Sequence, residues 1–285
     1  MNFLLRNSRI QDINSPFNGK VKDILIINGI IKRIDSNISE SNAEIFEMDG
    51  NAVSPGWVDI FANFCDPGYE QKETLETGSY AANAGGYTHA FLIPNTLPAL
   101  HSKSQIEYII EKSKSFPVTL HPIGAVTKNI EGKELAEMYD MHQYSAIAFS
   151  DGLHSIQSAG LLIKALQYVK SINGIIIQIP DDCSINAHGL MNEGIVSTRL
   201  GLPGKPSMAE EIMVARDIKL AAYSQSRIHF TGITTARSIE LIREAKKQGV
   251  DVTCSVTPYH LFFSDEDMFT YDTNLKVNLP LRTKS

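Results

Sequence analysis

The chain has 285 residues, 43% of them apolar, enough for one large core or for one core with a small satellite domain. With 26 Lys+Arg against 32 Asp+Glu the net charge is −6, which excludes a nucleic acid or an anionic membrane as the main partner. Three scattered cysteines (Cys65, Cys183, Cys254) form no CxxC pair, the start lacks a signal-peptide pattern, and no apolar run reaches the length of a membrane span. A soluble cytoplasmic protein is expected.

Residues 1–53 read as short strands and turns, a small β module. Asp23–Ile34 holds two β-rich runs hinged at Asn28-Gly29, a dipeptide suited to a tight hairpin, and Ala43–Met48 alternates before the turn at Asp49-Gly50. From residue 54 to 285 β-rich runs alternate with amphipathic helices. The runs are Trp57–Phe64, Thr88–Pro94, Val118–Val126, Ala146–Ser150, Gly174–Pro180, Arg227–Ile233 and Asp251–Pro258. Helices are expected over Glu73–Ala84, Ser104–Ser115, Ser158–Ser171, Ala209–Ser224 and Ala236–Gln248. Such alternation implies a parallel sheet, and the continuously apolar Ile175–Ile179 implies burial on both faces. A doubly wound sheet fits the alternation too, but no glycine-rich phosphate loop follows the first strand.

One stretch carries more information than the rest: Val53-Ser-Pro-Gly-Trp-Val-Asp-Ile-Phe-Ala-Asn-Phe-Cys-Asp-Pro-Gly68. It resembles the first-strand segment of the dihydroorotase family of the amidohydrolase superfamily. There the frame is Pro-Gly, two apolar residues, Asp, His-x-His, an apolar residue, Arg, an acid and Pro-Gly. The resemblance continues through Glu73–Gly78, Ala84–Thr88, Pro94-Asn-Thr96, Gln157–Gly160, Asn192-Glu-Gly194, Ala209–Ile212, Ala215–Ile218, Val256–Leu261 and Lys276–Arg282. It implies a (β/α)8 TIM-type barrel with a small N-terminal β domain. Seven barrel strands are counted, so the eighth, with the C-terminal segment of the β domain, is expected beyond Ser285.

Active members of the family hold zinc with histidines and acids at the C-terminal strand ends, and the metal-bound hydroxide attacks a cyclic amide. In this chain the resemblance places Phe61 and Asn63 at the His-x-His positions, Gly152 at the bridging aspartate, Ile179 and Gly232 at the two later histidines, and Cys65 at the substrate arginine. A phenyl ring has no lone pair for a metal, and a neutral amide is a poor substitute for imidazole. A one-residue slip would put Asp151 at the bridging position instead. The family's substrate asparagines fall on Asn95 and Asn278, which also suit loop-closing hydrogen bonds at strand ends.

The eight histidines show no His-x-His or His-x-x-x-His spacing, so no local metal motif replaces the lost one. His121 is expected to end the third barrel strand as a hydrogen-bonded rim residue. His229 is expected to be a satisfied core histidine and His260 structural; the pair Asp181-Asp182 is read as a solvated loop face. Three functions follow. The first is a dihydroorotase-like protein of pyrimidine biosynthesis, without metal and without hydrolase activity, that acts as a structural partner of aspartate carbamoyltransferase and forms a homo-oligomer. The second is an active cyclic amide hydrolase whose site is rebuilt from His121, His154 or residues beyond Ser285. The third is a metal-free binder of a small ligand through Asn95 and Asn278.

Overall fold

A computed structural model describes residues 1–284, which form two compact units, Met1–Trp57 and a second beginning at Val58. In the first unit β1 (Asn2–Ile10) pairs antiparallel with β2 (Val21–Ile27), which turns through Asn28 and Gly29, both at positive φ, into β3 (Ile30–Asp35). The strands β4 (Glu44–Glu47) and β5 (Ala52–Val53) add parallel to the other side of β1. Leu4, Leu25 and Ile38 form its small core. Buried Asp23 ties the connections down, accepting from the N–H groups of Asn7 and Ile38 at 3.0 and 2.9 Å.

In the second unit the strands are β6 (Trp57–Ala62), β7 (Tyr87–Leu92), β8 (Thr119–Gly124), β9 (Ala148–Phe149) and β10 (Ile175–Gln178), then a short parallel pair β11 (Met191–Asn192) and β12 (Gly204–Lys205), then β13 (Arg227–Phe230) and β14 (Val252–Cys254). The helices are α1 (Leu75–Ala84), α2 (Lys103–Ser113), α3 (Met138–Gln143), α4 (Ala159–Ser171), α5 (Ile195–Leu200), α6 (Met208–Ser224), α7 (Ala236–Lys247) and α8 (Pro258–Phe262). Hydroxyl side chains start three of them. The hydroxyls of Thr74, Ser158 and Thr235 accept the N–H groups of Thr77, Leu161 and Ser238.

The large sheet runs β14-β13-β10-β9-β8-β7-β6, with parallel ladders from β7 to β14. Each new strand therefore lies beside its predecessor in the sheet. A doubly wound sheet reverses direction partway, whereas a TIM-type barrel does not, so the order identifies the barrel fold. Each of the seven expected runs overlaps one of these strands: β7 begins one residue before its run, at Tyr87, and every strand ends short of its run where the ladder gives way to a loop.

Alternation along the strands divides the core. Ala62, Ala90, Leu92, Leu120, Phe149, Ile176, Ile228, Phe230 and Val252 face the helices and join the main cluster with Ile106, Leu162, Val214 and Ile242. Phe61, Phe91, Ile93, Ile123, Ala148, Ile175 and Ile177 face the other way and form a second cluster. Each fully buried side chain of this size contributes about 1.5–3 kcal/mol.

The loop after β6 is fixed by Asp66, which is 1% exposed. Its carboxylate accepts from Leu75 N–H at the start of α1 (3.0 Å), Tyr108 Oη (2.9 Å) and Lys112 Nζ (2.9 Å) on α2. Burial alone would raise its pKa, but Lys112 and the other donors outweigh it and hold the carboxyl below 3.8. We expect Asp66→Asn to lower stability by about 1–3 kcal/mol near neutral pH in denaturant melts. Because the folded pKa is the lower one, the loss should be complete above about pH 4 and shrink as the pH falls through the folded value. A difference that grows on acidification would contradict this role.

Candidate functional site

Barrel proteins place chemistry where strands end at their C-termini, and the positions singled out from the sequence lie along those ends. Phe61, the fifth residue of β6, is half-buried against the inner cluster that contains Ile93, Ile123, Ala148 and Ile177. Asn63 is exposed just past the strand, and its side-chain oxygen accepts Cys65 N–H at 3.2 Å. That bond supports Cys65 in a left-handed conformation at φ 62°. The amide of Asn63 therefore shapes a turn, and Cys65 is a half-buried rim thiol.

Gly152 and Asn95 interlock. Gly152 has φ 62°, and a Cβ built there would lie 1.7 Å from Asn95 Oδ1. That oxygen accepts Leu153 N–H at 2.9 Å, so Asn95 closes the loop after β9. Asp151, 1% exposed, accepts from the N–H groups of Val126 and Thr127 (3.0 and 2.8 Å) and from Thr127 Oγ1 at 2.5 Å. Burial still pushes its pKa up against those bonds. The carboxyl that a one-residue slip would have made a bridging ligand is committed to the loop after β8.

Ile179 is 6% exposed, and its carbonyl accepts Ser155 Oγ at 2.6 Å. Its neighbour Gln178 points to the helix side and donates to Asp217 at 3.4 Å. Burial pushes Asp217 up to about 6 even though Arg216 Nε lies 2.6 Å away. Gly232 sits at φ 76°, and a Cβ there would meet Leu279 Cδ1 at 3.7 Å. The five positions thus present a phenyl ring, a turn-forming amide, two glycines and an isoleucine. That donor set does not fit a zinc ion. Among the described residues no group of three or more His, Cys, Asp or Glu stands close enough to hold a metal elsewhere.

The histidines divide. His121 does not end its strand: it is the third of six residues in β8, and its Nε2 lies 3.0 Å from His89 Nδ1. His229 is 8% exposed and fully partnered, with Nδ1 2.8 Å from Thr253 Oγ1 and Nε2 3.0 Å from Ser255 Oγ. His260 bridges Thr257 Oγ1 (2.7 Å) and the Leu279 carbonyl (2.8 Å). Burial holds all three of His121, His229 and His260 below the usual imidazole range.

Asp181 corrects the expectation of a solvated acidic pair. It is buried and ion-paired to buried Lys205 at 2.5 Å, and only Asp182 stays at the surface, accepting Ser184 N–H. Asp181 joins Asp151, His154, Gln157, Cys183 and Asn278 around a cavity of about 360 Å³. Asn278 is thus exposed to a cavity that Asn95 does not line. Sequence reasoning also missed Glu210, which is fully buried. It accepts the N–H groups of Thr234 and Thr235 and pairs with Arg282 at 3.4 Å, while Arg282 also donates to Thr234 and Asn192. Three of the motif segments, around Asn192, Glu210 and Arg282, meet in this network, and their recurrence in the family pattern was the available signal.

A family model described as dihydro-orotase-like matches residues 50–238. Dihydroorotases of Pelotomaculum thermopropionicum and Syntrophus aciditrophicus are 42% and 40% identical over 99% and 100% of the chain, which spans 66% and 67% of their lengths. An L-hydantoinase (dihydropyrimidinase) from Arthrobacter aurescens superposes with a TM-score of 0.83 at 20% identity, over 99% of this chain and 64% of that one. The fold is therefore the amidohydrolase barrel. The chain belongs to the dihydroorotase family.

Since Phe61 packs in the inner cluster, Phe61→His exchanges apolar burial for an imidazole with no metal to bind. It should cost about 1–3 kcal/mol in lost burial and desolvation. Equal denaturation midpoints for the two proteins would show instead that the position faces open, hydrated space.

Proposed function

We propose that this protein serves pyrimidine biosynthesis as a cytoplasmic, dihydroorotase-like protein that binds no catalytic metal, does not hydrolyse dihydroorotate, and acts as a structural partner of aspartate carbamoyltransferase in a homo-oligomeric assembly. Family membership supports the pathway. The observation that carries the loss of activity is Gly152, which brings no carboxylate to the bridging position: its backbone is left-handed and Asn95 Oδ1 occupies the place where a side chain would begin, so a carboxylate there would have to displace Asn95. Without a metal, the pKa of water stays near its bulk value of about 15.7 rather than roughly 7, and the hydroxide nucleophile is not formed at neutral pH.

Elemental analysis of the protein as purified should find no stoichiometric zinc, and dihydroorotate should not be turned over. Phe61→His with Asn63→His should remain inactive, because positions 152, 179 and 232 still lack donors. Zinc-dependent turnover in either protein would overturn the proposal. Mixing with aspartate carbamoyltransferase should give a complex heavier than either component by light scattering; separate elution of the two would remove the partnership.

A second reading, a metal-free ligand binder, draws support from the cavity beside Asn278. It requires a small polar ligand to raise the melting temperature of the native protein and Asn278→Ala to abolish that rise. An unchanged response in the variant would reject it.

A further inference from the structure

The His89–His121 pair takes part in none of the loop-closing or ion-pair networks described above. They lie on adjacent strands, where Phe91 of β7 is registered opposite His121 of β8. His89 is thus diagonal to His121, and both alternate with inner-face residues (Phe91 and Ile93, Ile123) and point away from the helices. Their rings are stacked 5.2 Å apart at 26°, with Phe91 edge-on to His121 at 5.0 Å. Both are half-exposed. The 3.0 Å separation of His89 Nδ1 and His121 Nε2 is closed by one shared proton, one ring donating and the other accepting.

We infer that His89 and His121 form a two-imidazole site for a divalent transition ion, copper(II) foremost and nickel(II) after it. Imidazole nitrogens bind such ions at about 2.0–2.1 Å, so two of them at right angles around a metal are about 2.9 Å apart, against roughly 3.3 Å at a tetrahedral angle. The nitrogens here stand close to the right-angle value, the geometry of square-planar copper and nickel sites. Replacing the shared proton by an ion requires the rings to turn about their side-chain torsions, with the two strands left in place. No third His, Cys, Asp or Glu completes the set among the described residues, so water fills the remaining positions and the affinity is moderate.

Equilibrium dialysis of the chelator-treated chain against copper(II) chloride, with electron paramagnetic resonance of the bound ion, tests the site. One copper per chain, with two nitrogen couplings in the spectrum, is the expected result. His89→Gln and His121→Gln should each weaken binding at least about tenfold while His101→Gln leaves it unchanged. Circular dichroism should show all three variants folded, and the two-nitrogen spectrum of the unaltered chain stands even if one of them is not. Absence of stoichiometric copper, or full binding in both His89→Gln and His121→Gln, would overturn the assignment. Zinc-dependent hydrolysis that survives in both variants would count against the proposed function alone.

Discussion

Buried backbone N–H groups at the ends of strands have no ladder partner, and the order of this barrel's loops depends on what accepts them. Buried carboxylates take that part three times. Asp66 accepts at the start of α1, Asp151 accepts from Val126 and Thr127 after β8, and Glu210 accepts from Thr234 and Thr235 before α7. Each links a loop to a different element, so three connections are fixed by acids at the face where a metalloenzyme would use acids as ligands. Arg282 and Lys112 supply the compensating charge at two of the three.

The inner face of the sheet shows the same division of labour. From β6 to β10 it closes on itself through Phe61, Ile93, Ile123 and Ile177, with the paired His89 and His121 as its polar members. On β13 and β14 it is a hydrogen-bonded chain from Thr253 through His229 to Ser255 and on to Thr231. Neither half leaves converging lone pairs at the strand ends. Apolar packing fills one side, and saturated hydroxyl pairing fills the other. A cavity beside Asn278 stays open, and it shares no residue with positions 61, 63, 152, 179 and 232.

The sequence disclosed long elements better than short ones. The five expected helices and seven barrel strands are present, each read from a run of at least five residues even where, as at β9, only two of them join the ladder. By contrast α3, α5 and α8 have only five or six residues, and β11 and β12 have two each, too few for any period to register. The donor losses at 61, 63, 152, 179 and 232 were visible because they are matters of residue identity. Which side chains meet was not. The His89–His121 contact depends on the register of β7 on β8, and the burial of Asp181 depends on Lys205 arriving from a strand 24 positions later in the chain. Asn95 is the intermediate case: a loop-closing role was foreseen, but its partner Leu153 was not.

The interlock of Gly152 with Asn95 couples two positions far apart in the chain. A carboxylate restored at 152 by a single substitution would enter a left-handed backbone with its Cβ 1.7 Å from an amide oxygen. Clearing that oxygen first, by changing Asn95, would strip Leu153 N–H of its acceptor while position 152 was still bare. Each single change therefore disturbs the other's partner, so positions 95 and 152 are coupled and exchange most easily as a pair.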